Sequence, residues 1–151
     1  MRSVALFALA ACGLILAGCG DSTVSVDTDH TRVVTLPDGA HIRVEVMIQP
    51  EDMARGMMFR TSLNPDRGML FVHGSEGHYP YWMFQVKIPL DILWMDSSRK
   101  IVEISENTPP CPPGSNKCPT YGGKYPAQYV LELAAGSVAR HQLRVGQTIL
   151  F

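Results

Sequence analysis

The chain has 151 residues, 46% of them apolar and 18% charged, with a formal net charge of -1. That length supports one domain with a real hydrophobic core and leaves no room for a second. The near-neutral balance, with no basic block, excludes binding to nucleic acid through phosphate contacts, and the apolar share excludes general disorder.

At the N-terminus, Arg2 is followed by VALFALAACGLILAG, an uncharged apolar run of signal-peptide length with small residues before Cys19. Leu16-Ala17-Gly18-Cys19 looks like a bacterial lipobox, in which cleavage precedes a lipidated cysteine. The alternative is an ordinary secretory signal with a chance cysteine. One acyl chain holds weakly, at about 0.8 kcal/mol per buried methylene, so two or three chains on Cys19 would be needed for a durable anchor. The expected organisation is therefore a lipoprotein signal peptide at 1–18, the lipidated cysteine with a polar flexible tether at 19–30, and a β-rich domain at 31–151. The protein is expected in the cell envelope, membrane-anchored and facing the periplasm or exterior.

Residues 31–36 and 41–48 flank Pro37-Asp38-Gly39-Ala40, and the second run alternates Ile42, Val44, Val46 and Ile48 against polar neighbours, so a hairpin with one buried face is expected. Pro50 with Glu51 and Asp52 marks a helix start and Gly56 a stop, which gives one or two helical turns ending at Arg55. The apolar run at 69–72 reads as a buried strand before the turn-rich GSEGHYP. Strands are expected at 81–86 and 88–95, with Pro89 at an edge, a bulge or a strand start, and again at 100–106.

Residues 107–126 hold six prolines and three glycines and read as a loop. Within it lie Cys111 and Cys118, the pair that remains once Cys12 goes with the signal and Cys19 is lipidated. In an exported protein a lone pair reads as a structural disulfide, worth about 2.5 kcal/mol for a loop of about eight residues. A metal pair or redox couple is the alternative, but no further Cys or His is near and the spacing is not C-x-x-C. A strand at 128–133 turns Tyr129, Leu131 and Leu133 inward, Gly136 and Ser137 could cap a short helix, and 148–151 closes the fold as a strand. About seven strands at this spacing give a mostly β fold, a compact sandwich or barrel with one or two short helices.

Several landmarks coincide in order: ARGMMFR at 54–60, GMLFVH at 68–73, WMFQVKIPLDILWMD at 82–96, IVEI at 101–104, CP at 118–119 and YVLELAAG at 129–136. Together they resemble the DUF192 family over about residues 32–151, which implies a jelly-roll-like sandwich and no established reaction. By matching position the resemblance carries over Arg55, Gly56, Met58, Arg60, Gly68, Met69, Trp82, Met83, Pro89, Leu90 and Asp91 as recurrent residues. The family commonly reads W-M-K-N-T before I-P-L-D, where this chain has Trp82-Met83-Phe84-Gln85-Val86-Lys87. Chemistry through that lysine and asparagine is not carried over.

Among chemical candidates Asp91 stands out, because its strand parity sets it among Leu93 and Met95 with Leu90, Ile92 and Trp94 opposite. A desolvated carboxylate needs a partner, and Arg55 or Arg60 offers the matching planar fork. Lys87, at about 13 Å along a strand, is too distant. Either the pair is structural, stitching the helix to the sheet, or Arg55, Arg60, Trp82 and Asp91 form a pocket for a polar ligand. Eight methionines raise copper(I) handling, although methionine at these positions more often packs a core. The five histidines have no H-x-x-x-H or H-x-H spacing, which argues against a zinc hydrolase, and no nucleophile or phosphate-loop motif is present. Acid pairs such as Asp91 with Asp96 or Glu103 with Glu106 are what any chain with 14 acids supplies. The expectation is thus a lipid-anchored module, more plausibly non-enzymatic, that takes a small ligand or an envelope partner and no cofactor. An envelope carbohydrate- or peptide-processing enzyme using Asp91 stands beside it, as does periplasmic copper handling.

Overall fold

The structure, a computed structural model, describes residues 30–115 and 117–151. The signal-like run, Cys19 and nearly all of the tether lie outside the described residues. The expected hairpin forms: β1 (Thr31–Thr35) pairs antiparallel with β2 (His41–Met47) and sets Val34 opposite Ile42. Its turn is tied by the Ala40 N–H donating to Asp38 Oδ1 at 3.0 Å, with Gly39 at φ +86°.

The chain then crosses over, because β3 (Arg67–Gly77) lies parallel to β2 and parallel neighbours cannot be joined by a tight turn. The crossover carries α1 (Pro50–Arg55), which starts on Pro50 and first-turn acids and stops at Gly56, φ +44°. A side chain at Gly56 would also press on the Phe71 ring at 3.2 Å. After β4 (Tyr81–Trp82), β5 (Leu90–Met95), β6 (Ile101–Thr108), β7 (Thr120–Tyr121) and β8 (Ala127–Ala134), α2 (Ser137–Arg140) leads into the C-terminal segment. The six-stranded mixed sheet has the order β1-β2-β3-β8-β5-β6, and β4 with β7 forms a separate two-stranded ribbon.

The mostly β expectation therefore holds, as a sandwich-like layering around one dominant sheet that does not close into a barrel among the described residues. Both faces of the central strands are buried. One face packs Val34, Ile42, Leu70, Leu93, Leu131 and Leu133 under Val138, Leu143 and Ile149. The other packs Met69, Phe71, Ile92, Trp94 and Val130 under Met57, Met83 and Val86. Both sets are completely or almost completely buried, so strict alternation along β5 and β8 sends an apolar residue to each side in turn.

Two expected strands are corrected. Only Tyr81 and Trp82 of the 81–86 run are extended, because Gln85 sits at φ +58° and the Val86 N–H turns back to the Met83 carbonyl at 3.3 Å. Pro89 immediately precedes β5, the strand-start placement open to a residue without an N–H. The 148–151 segment forms isolated bridges rather than a regular strand, Thr35 with Leu150 and Lys100 with Thr148. It nevertheless reaches both margins of the sheet: Thr35 and Leu150 exchange backbone bonds of 2.8 and 3.0 Å, while the Ile101 N–H donates to the Gln147 carbonyl at 2.8 Å.

Candidate ligand-binding site

Asp91 is wholly buried on β5, on the same face as Leu93, and its partners are not arginines. Oδ1 accepts the Asn107 N–H and Oδ2 the Val138 N–H, each at 2.7 Å. Val138 is the second residue of α2, whose N-terminal position Gly136 has no side chain to cap it. Asp91 thus supplies, from a distant strand, the acceptor that a Ser or Asp cap would supply locally, and its negative charge suits a helix N-terminus. With an oxygen committed to each of two backbone donors, it is a structural clamp between β5, the end of β6 and α2. The expected Arg–Asp91 pair is overturned, and Asp91 lies on the opposite face of the sheet from the other candidates.

Arg60 pairs instead with Glu45 on β2, bidentately at 2.6 and 2.7 Å. That bond holds the Glu45 carboxyl below the ordinary carboxylate range and the guanidinium above its own. Lys87 is exposed. Cys111 and Cys118 form the expected disulfide, with Cα atoms 5.3 Å apart, and the loop is further held by the Cys111 N–H donating to the Met83 carbonyl.

Arg55 and Trp82 do meet, at a cavity of about 280 Å³ on the face crossed by α1. Residues 53–58 form one wall, residues 79–86 the other, and Phe71, His73 and Glu132 border it from the sheet. The chemistry of that floor follows from register. Glu45, Met69, Glu132 and Ile92 are successive partners across β2, β3, β8 and β5, so they line one row on one face. Phe71, Val130 and Trp94 form the next row. Over these rows the rings interlock edge to face: Tyr81 meets Phe71 at 5.1 Å and Trp94 at 6.0 Å between centroids. His73 stacks on Tyr79 at 3.5 Å, and its Nε2 lies 3.1 Å from the Tyr81 hydroxyl. At the mouth Trp82 is 53% exposed and stacks on Phe84, while Arg55 is exposed on the α1 side.

Glu132 is the anomaly. It is buried in the central strand, and its Oε2 has no hydrogen-bond partner. Burial pushes its carboxyl up to about 8, with Arg60 pulling weakly the other way, so the group is largely protonated at neutral pH. Burial also pushes the His73 imidazole down, so that it is neutral there, and raises the Tyr81 phenol, with the Glu132 and Tyr79 charges adding to the effect. An unpaired buried carboxyl costs free energy that a purely structural residue would not retain without compensation. Perturbed groups of this kind concentrate where a protein meets ligand.

Sequence reading missed Glu132 and His73. The inward alternation of Tyr129, Leu131 and Leu133 sets Glu132 on the other side of the strand. The signal was nonetheless there: Glu132 sits between Leu131 and Leu133, the same acid-among-apolars pattern that singled out Asp91. Met53, Met57 and Met58 border the same cavity as His73. No group of three His, Cys, Asp or Glu that could hold a metal occurs among the described residues, nor any helix there long and apolar enough to cross a membrane.

Fold and cavity together define a β-rich domain of one mixed sheet with an aromatic pocket laid over its central strands. The sequence pattern of DUF192, described as an uncharacterised ACR, matches residues 33–151, and the chain belongs to that family. Among solved structures it is similar to a protein from Sinorhizobium meliloti 1021 provisionally named a transcription regulator. That protein shares 32% identity over 78% of this chain and 88% of its own, with a TM-score of 0.67. A protein of unknown function from Novosphingobium aromaticivorans DSM 12444 is 28% identical over 80% of this chain and 84% of its own, with a TM-score of 0.70. No curated protein matches.

Proposed function

We propose that this DUF192 member is a ligand-binding module of the cell envelope, held to a membrane by lipid on Cys19, which receives a small, largely apolar molecule in the aromatic cavity. The observation that carries the reading is Glu132, whose buried Oε2 is unpartnered, in a cavity it lines together with Phe71, Tyr81 and Trp82. A cavity of about 280 Å³ falls just below the usual range of about 300–1,000 Å³ for ligand pockets, which suits a compact one-ring molecule. Apolar walls with a small number of polar groups is the ordinary composition of such sites. The enzymatic alternative through Asp91 loses its support, since both carboxyl oxygens are bound to backbone in the opposite layer.

The test is a thermal-shift screen of the full chain in detergent against amino acids, amines, sugars, peptidoglycan fragments and copper(I), with Trp82→Ala beside the wild type. A compound that raises the melting temperature of the wild type but not of Trp82→Ala supports the reading. A screen in which nothing distinguishes the two proteins sinks it. Copper(I) handling keeps one favouring observation, that Met53, Met57, Met58 and His73 all line this cavity, because soft donors suit that ion. It predicts that copper(I) alone gives the shift and that His73→Ala removes it. Anchoring is read separately: Cys19→Ala should move the protein from the membrane to the soluble fraction.

A further inference from the structure

We infer that the ligand is an organic cation, with its ammonium group seated on Glu132 and its apolar body between Phe71, Tyr81 and Trp82. The inference deepens the pocket reading above and rests on it. Three observations favour a positive charge over a neutral or anionic group. The cavity is bordered by one acidic side chain, Glu132, whose buried Oε2 lacks a hydrogen-bond donor, so an N–H donor that reaches the carboxyl meets unused acceptor capacity. Phe71, Tyr79, Tyr81, Trp82 and Phe84 line its walls, and an aromatic ring attracts a cation to its face. Among the described residues no competing cation is free at the floor. Arg60 is engaged at both nitrogens by Glu45, and the desolvated His73 imidazole is uncharged at neutral pH and already within bonding distance of Tyr81.

The groups that face Glu132 from each packed element are consistent with this assignment. His73 comes from β3, Tyr79 and Tyr81 from the segment ending in β4, and the compensated Arg60–Glu45 pair from beside β2. The residues opposite Glu132 on β3 and β5, Met69 and Ile92, carry no charge. Arg55 is exposed at the mouth, where water screens it. Seating a cation favours the ionised carboxylate, so binding below a pH of about 8 must expel one proton from the protein.

The experiment is isothermal titration calorimetry of the full chain in detergent with 2-phenylethylammonium and with its uncharged isostere 2-phenylethanol, between about pH 5.5 and 8.5, where the amine stays charged. The expected result is that ammonium affinity rises about tenfold per pH unit and levels off near pH 8, with one proton released per molecule bound at the acid end. The alcohol should show neither effect. Glu132→Gln, checked for an unchanged fold by its melting curve, should abolish the pH slope and the preference for the amine while leaving alcohol binding in place. If the alcohol binds as tightly as the amine at pH 7.5, the cation assignment fails while the pocket reading stands. If neither compound binds and Trp82→Ala changes nothing, both fall together. An amine that binds without proton release overturns the role given to Glu132.

Discussion

Replacing Asp91 by asparagine isolates the clamp from any role in binding. The carboxylate accepts two backbone donors at 2.7 Å, and asparagine of the same shape offers one acceptor oxygen and an NH2 in place of the other. Whichever of the Asn107 and Val138 N–H groups faces the NH2 is orphaned in a fully buried site, which costs about 1–3 kcal/mol. The surviving bond loses its charge assistance, about 1 kcal/mol more. The total of about 2–4 kcal/mol corresponds to a fall of about 8–16 °C in melting temperature for a domain of this size. Circular-dichroism melts of the two proteins read the loss, and amide hydrogen exchange should locate it by faster exchange at Val138 and Asn107. Binding in the aromatic cavity should be unchanged in affinity, because Asp91 lies across the sheet from it. A melting temperature within about 2 °C of wild type would refute the clamp. A preserved melting temperature with lost binding would instead return Asp91 to a functional site.

Other substitutions read other parts of the molecule. Glu132 has a folded-state pKa raised above its unfolded value, so the folded state holds the extra proton and stability is lost as pH rises between about 4.5 and 8. Glu132→Gln should remove that slope and leave the variant more stable than wild type by a few kcal/mol above pH 8, on the order of the shift at about 1.4 kcal/mol per unit; urea titrations at pH 5 and 8.5 that run parallel for both proteins would contradict it. A Cβ at Gly122 would land on the Trp94 indole, and φ there is +68°, so Gly122→Ala should cost at least about 3 kcal/mol and disturb Trp94 fluorescence, whereas an unaltered melt would contradict the packing. Opening the disulfide by Cys111→Ser should cost about 2.5 kcal/mol, measurable as a lower urea midpoint without change in the far-ultraviolet spectrum. Arg60→Ala should cost less than about 1 kcal/mol, since the side chains of Arg60 and Glu45 are 35% and 40% exposed and water screens the pair; a larger loss would mean the pair anchors the crossover.

Features fixed by neighbouring residues were legible in the sequence. The β1–β2 hairpin announced itself through Ile42 and Val44 alternating beyond Pro37-Asp38-Gly39, and α1 through its proline, acids and glycine. The disulfide followed from compartment and elimination. Features that depend on what lies across the sheet were not legible. The alternation along 128–133 hides the burial of Glu132, because its face of the sheet is covered by Met57, Met83 and Val86, whose placement is not encoded near residue 132. The partner of Asp91 was misassigned for a related reason. Its burial is visible locally, but backbone donors leave no trace in residue types, so arginines are the partners that the sequence offers. The extended reading of 81–86 failed at Gln85, whose positive φ no β-favouring composition signals.

The bonds that the 147–150 segment makes to Thr35 on one margin of the sheet and to Ile101 on the other have a consequence for association between copies. β1 and β6 are the outermost strands, and unsatisfied N–H and C=O groups on such strands are templates on which another copy can add. The C-terminal segment occupies part of both templates at once, so losing it would expose two sticky margins to other copies. If the proposed lipid anchor held copies in one membrane plane, these few residues would serve as the guard against such association.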